Sequence, residues 1–194
     1  MLFNEIDKIL FEKNNSLYKK LNKGHTRDEI IAKMNSIDIS VPEDLIELYS
    51  WHNGIKVKDE ALGGLWLFPL AIFFCMEDSI KFYNNINNTN EYWKPKMFPV
   101  FGDGGGDFYL IDLDVHSQNY GQYFYYCLSD PFFDGIISIF DTTESALKTI
   151  YECYKRDVLV KEENSDILNF NNKEYFKTGK KINPRSTFWL QEYS

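Results

Sequence analysis

Apolar positions recur along this chain at two different periods, and the change of period separates helical from extended regions. Leu2, Phe3, Ile6, Ile9, Leu10, Leu17 and Leu21 repeat at helical spacing, broken at Lys13-Asn14-Asn15, with Gly24 expected as the C-cap. Thr26, followed three residues later by Glu29, reads as a capping box for a helix whose apolar face holds Ile30, Ile31 and Met34. Pro42 is expected at the first position of the next helix, where its missing N–H costs nothing. Leu45, Leu48 and Tyr49 make the stripe of that helix, and Asn53-Gly54 closes it with residues that accept positive φ. His52, at the same end, suits the negative pole of the helix dipole.

The period then shortens. Residues 65–74 are hydrophobic apart from the interruption at Pro69, which predicts a strand over 65–68 and a separate extended piece beyond. Glu77-Asp78-Ser79 opens a helix that turns Ile80, Tyr83 and Ile86 inward, and an Asn-rich loop follows. The run FPVFGDGGGDFYLIDLD, residues 98–114, organises the rest. Gly102 to Asp107 reads as a tight turn between two apolar runs, 98–101 and 108–113. Both phases of the second run are bulky, so the hairpin belongs in the middle of a sheet. Residues 122–128 and 136–140 predict two more strands. Asp141-Thr142-Thr143-Glu144 caps a helix with the stripe Leu147, Ile150, Tyr151 and Tyr154.

Strands joined by short Gly/Asp turns, with helices grouped before and after, predict a single α+β domain with a largely antiparallel central sheet flanked by helices. Its expected span is 1–160, with a core over 26–155. Residues 161–194 are expected to form a C-terminal extension, polar until Phe188-Trp189-Leu190, which docks as a short tail helix begun at Asn183-Pro184.

The series VPEDLIELYSWHNG (41–54) and FGDGGGDFYLIDLD (101–114) resembles the SUKH superfamily, which takes in the Smi/Knr-type proteins. The matching residues are Pro42, Leu45, Asn53, Gly54, Gly102, Asp103, Gly106, Asp107, Leu113 and Asp114. The resemblance implies the SUKH fold. It also implies a protein-binding role, commonly as an immunity protein that neutralises a cognate polymorphic toxin, often a nuclease, and otherwise as a regulator of fungal cell-wall synthesis.

Composition sharpens this picture. With 21 Lys and Arg against 29 Asp and Glu, the net charge is −8. That argues against nucleic acid as partner, since gripping phosphates needs a basic face, and suits a basic protein. Aromatic residues make up 17% of the chain, which leaves two readings open: a β-rich core or an interface. The three cysteines are scattered without zinc spacing and read as small buried residues in a reducing compartment. No apolar run is long enough to span a membrane, and the acidic start, MLFNEIDKILFEK, lacks the features of a secretory leader. A cytoplasmic location is expected.

The Gly/Asp turn invites chemistry but lacks the required companions. No Lys-Ser/Thr pair follows Gly106 as a phosphate loop needs, and the turn opens a strand where a dinucleotide fingerprint opens a helix. Asp103, Asp107, Asp112 and Asp114 miss the EF-hand spacing. The three histidines have no nucleophile motif beside them. The expectation is therefore no catalytic, cofactor-binding or metal-binding residue. The alternative is a small-ligand or metal-dependent enzyme with an acidic cleft at this turn, or a regulatory scaffold. Partner contact is expected at Asp103, Asp107 and Asp114, beside the hairpin's turns, and at Trp51 and Trp66 as rigid aromatic anchors.

Overall fold

A computed structural model of the chain describes residues 2–55, 65–86, 94–127, 135–162 and 167–190. Helix α1 (Leu2–Lys13) stops at Asn14, and α2 (Asn15–Tyr18) adds one turn. Asn14 is buried and donates its side-chain amide to the Tyr154 hydroxyl at 3.0 Å, so the break in the pattern is a polar tie to a distant helix. Gly24 is not a C-cap. It lies against Ser50, where a Cβ would sit 1.9 Å from the carbonyl oxygen, so its role is close approach.

Helix α3 (Arg27–Asn35) starts as the pattern predicts. The Thr26 side chain accepts from the Glu29 N–H, and the Glu29 carboxylate accepts from the Thr26 N–H in return. In α4 (Glu43–Trp51) Pro42 is the extended N-cap, one residue earlier than expected, because its ψ of 158° is not helical. Asn53 does not take positive φ; Gly54 alone of that pair does. Asn53 instead reaches forward. Its Oδ1 accepts from the Met76 N–H at 2.8 Å and its Nδ2 donates to Glu77, which caps α5 (Met76–Ile86) from outside.

The expected strand over 65–68 is absent. Phe68 and Ala71 bridge each other around a tight turn at Pro69-Leu70, with Leu70 at φ 58°. The carbonyls of Leu67 and Pro69 accept from the Tyr154 and Tyr109 hydroxyls, so this segment spends hydrogen bonds on side chains. The strand is the piece beyond the proline, β1 (Ile72–Phe73). It pairs with β2 (Met97–Gly102), which pairs in turn with β3 (Phe108–Asp112), then β4 (Tyr123–Tyr126) and β5 (Ile136–Phe140). Every pairing is antiparallel, and Phe98 opposite Ile111 and Gly102 opposite Phe108 set the hairpin register. The hairpin therefore occupies the centre of the five-stranded sheet.

Helix α6 (Thr143–Lys155) has Thr142 as N-cap, and its reciprocal partner is Ser145; Asp141 and Glu144 are not the capping pair. The chain then forms a second small sheet, β6 (Leu159–Lys161) with β7 (Leu168–Phe170), and a further helix, α7 (Asn172–Ile182). A 3₁₀ turn (Phe188–Leu190) follows in place of the expected tail helix. Helix α7 packs on α6, and Trp189 is buried against Phe140 of β5. The aromatic surplus goes largely into the core: Tyr49, Phe68, Phe73, Phe98, Phe101, Tyr123, Phe140 and Tyr154 are fully buried. Burial pushes the Cys75 and Cys153 thiols up to about 12, so neither is a ready nucleophile.

Glu77 ties the α3–α4 pair to α5. It accepts from Lys33 at 2.8 Å, from Asn53 at 3.1 Å and faces His25 at 3.1 Å. Partial burial works to raise its pKa from 4.5, but the bonds from Lys33, Asn53 and its own backbone N–H outweigh it and hold the carboxyl at about 2. A depressed carboxyl stabilises the fold above its unfolded value, and that stability is lost as pH falls towards 2. Glu77→Gln is expected to flatten the acid limb of the stability profile between pH 4.5 and 2. Urea midpoints measured across that window check it; parallel profiles for both proteins would contradict it.

Candidate functional site

The strand β3 separates the sequence-predicted aspartates. Asp103 lies at the glycine turn before β3, and its Oδ1 accepts from the N–H groups of Gly105, Gly106 and Asp107 at 2.7–3.0 Å. One oxygen is thus spent on holding the turn. Asp107 is buried, and its Oδ2 accepts from the Tyr125 hydroxyl at 2.8 Å and from the Cys127 thiol. Those two bonds tie the carboxylate to β4 and the residue after it. Asp114 sits at the far end of β3 and accepts from the His116 N–H, half-buried. Its neighbour Asp112 organises that end, accepting from the Asp114 N–H at 3.0 Å and from the Ser117 hydroxyl at 2.5 Å.

The two tryptophans are half-buried walls. Trp51 donates its indole N–H to Asp7 at 3.0 Å, and its ring centre lies 5.3 Å from that of Phe3. His52 binds the same Asp7 oxygen through Nε2 and the Asn22 carbonyl through Nδ1. These two contacts tie α4 to α1 and to the loop before α3. Trp66 packs against the core with its N–H buried and without an acceptor among the described residues.

A site that sequence reading missed lies at the Asp114 end. Leu2 and Phe3 of α1, Asp44 and Glu47 of α4, and Thr143, Glu144 and Leu147 of α6 enclose a pocket of about 260 Å³. Its floor is apolar and its rim carries three carboxylates. None of the three makes an ion pair or hydrogen bond among the described residues, whereas nearby Glu43 is taken by Arg27. The charge of Asp44 is also felt in the loop between β3 and β4. Partial burial raises the pKa of the Tyr120 hydroxyl, and the charge of Asp44 adds to that effect. Tyr120 and Val115 on that loop are exposed at 41% and 52%. An acid-rimmed, apolar-floored surface with an exposed tyrosine can hold a cationic, partly hydrophobic protuberance. The only sequence signal for it was the Asp44–Glu47 spacing on one face of a helix; α1 and α6 are about a hundred and forty residues apart in the chain, beyond the reach of local pattern.

Among the described residues no group of three or more His, Cys, Asp or Glu side chains could hold a metal ion, and no helix is long and apolar enough to cross a membrane. A comparison with curated proteins finds no match. The pattern of one family does match, over residues 24–149, which takes in α3, α4, the whole five-stranded sheet and the first half of α6. That match covers well over half of the chain and falls on the same hairpin and helix end that the Gly/Asp and Asn-Gly signatures mark: this chain belongs to the SMI1 / KNR4 family (SUKH-1).

Proposed function

We propose that this chain is an immunity protein: a non-catalytic domain that binds one cognate toxin, basic in character and a nuclease by preference, and blocks it by occlusion. The observation that carries the reading is the set of carboxylates Asp44, Glu47 and Glu144 around an apolar pocket, unpaired among the described residues, with exposed Tyr120 within reach of the Asp44 charge, in a chain of net charge −8. Enzymes that hold phosphates present a basic surface, and an acidic face meets it quickly and selectively. Family membership supports a binding role, because its SUKH relatives commonly serve as immunity proteins. Asp114 belongs to the proposed contact face. Asp103 and Trp66 remain secondary candidates, and Trp51 and Asp107 act from behind, holding the fold that presents the face.

The test is co-expression with candidate toxin domains taken from neighbouring reading frames. Growth rescue is expected, with an association rate that falls steeply between low and physiological salt. Reversing Asp44, Glu47 and Glu144 to Lys is expected to weaken the complex about a hundredfold or more, since like charges then oppose a basic partner. A protein that neither binds nor protects would instead favour a regulatory scaffold.

A further inference from the structure

We infer that the pocket between α1, α4 and α6 receives a single arginine side chain from the protein partner, an assignment that rests on the binding role proposed above. Its size speaks first. At about 260 Å³ it falls below the roughly 300–1,000 Å³ of small-molecule sites, and suits one long side chain. Its chemistry is split in the way such a side chain is split. Leu2, Phe3 and the buried Leu147 offer apolar contact for methylenes, and Asp44, Glu47 and Glu144 offer acceptors for a cationic head. The hydroxyl of Thr143 is already engaged with that of Tyr123 at 3.1 Å, and no Lys or Arg among the described residues lines the pocket.

The carboxylates are not explained by their helices alone. Asp44 and Glu144 sit in the first turns of α4 and α6, where a negative charge suits the dipole. Glu47 is in the middle of α4 and gains nothing there. It also stands three residues from Asp44, a like-charge spacing that slightly destabilises a helix. Three acids of different helical context therefore converge on one apolar cavity, with no cation paired to them among the described residues. Arginine fits better than lysine because its planar fork can meet two carboxylates together and lie against the ring of Phe3. Phe3 is itself backed by Trp51, whose bond to Asp7 fixes that wall.

The experiment uses the full chain and N-acetyl-arginine amide, followed by amide chemical shifts at low salt, with the lysine and the uncharged citrulline counterparts as controls. Saturable shifts are expected at Phe3, Asp44, Glu47 and Glu144, weaker by several-fold for lysine and lost for citrulline. The triple variant D44N/E47Q/E144Q, with its melting temperature kept, is expected to lose the response at least tenfold. Shifts spread evenly over all acidic surfaces, equal shifts with citrulline, or an unchanged triple variant would each overturn the assignment. The same triple variant is then titrated with the toxin, and unchanged affinity would overturn it as well. Because the amide probe needs no partner, a failed pocket and a failed immunity role give different results.

Discussion

Trp189→Ala is expected to cost the whole domain about 3–5 kcal/mol, the range for emptying a large aromatic site in a packed core. Trp189 is 2% exposed and lies fifty residues from the carbonyl of Ile139, to which its indole N–H donates. Its ring contacts those of Phe140, Tyr175, Phe176 and Phe188, with centres 5.0–5.8 Å away. The fit admits no slack on the α7 side: a Cβ on Gly179 would lie 2.3–2.5 Å from the indole. The polar links run the same way. Asp141 accepts from the Ser186 hydroxyl at 2.6 Å and from the Arg185 N–H, while Asn183 spans the Asp141 N–H and the Thr149 hydroxyl. Loss of this tryptophan should therefore weaken β5 and α6, not just the tail. Urea unfolding followed by far-ultraviolet circular dichroism should show one transition at a much lower midpoint. A new, separate transition, or an unchanged midpoint, would mean that residues 161–194 are a detachable extension.

The second large effect is expected at Gly54. Its φ is 48°, where a side chain costs roughly 1–2 kcal/mol by itself. The position is also closed: a Cβ there would lie 2.3 Å from the Phe74 carbonyl oxygen and 2.6 Å from that of Phe73. These are backbone atoms at the edge of the sheet: the Phe73 carbonyl already accepts from the Ile55 N–H at 2.7 Å, the Ile55 carbonyl accepts from the Cys75 N–H, and the Gly54 carbonyl accepts from the Asn22 N–H at 2.8 Å. Gly54→Ala must therefore push α4 and the loop before α3 away from β1, with a loss well above the conformational cost. Gly121 provides the control. It has φ 80° and nothing within 4 Å of a would-be Cβ, so Gly121→Ala should show the conformational cost alone. Equal thermal shifts for the two variants would refute the close-approach argument.

Local chemistry made much of the frame legible in advance. The capping box at Thr26, the stripe of α4, the glycine turn between β2 and β3 and the central place of that hairpin all depend on residues close in sequence. A cap needs an acceptor three residues from its partner, and a tight turn needs glycines within it. Such requirements leave a local mark. The strand beside Pro69 was misplaced because hydrophobicity was the same on both sides of the proline. What decided the matter was that the Tyr109 and Tyr154 hydroxyls, forty and eighty-seven positions away, take the carbonyls of Pro69 and Leu67.

The helix α7 was missed for a related reason. NKEYFKTGKKI is polar at most positions and holds a glycine, which lowers helix propensity. Its stability comes from burying Tyr175 and Gly179 against Trp189 and α6, which a local reading cannot weigh. The candidate site follows the same division. By itself the sequence determined an acidic α+β chain of SUKH type, with an aspartate-rich hairpin, because charge and turn chemistry are carried residue by residue. Tertiary structure alone decided where the acids lie. It turned Asp107 inward to Tyr125, spent Asp103 on its turn, and set Glu144 beside Asp44, Glu47 and Phe3, because a pocket is made where distant helices pack and not where their residues are written.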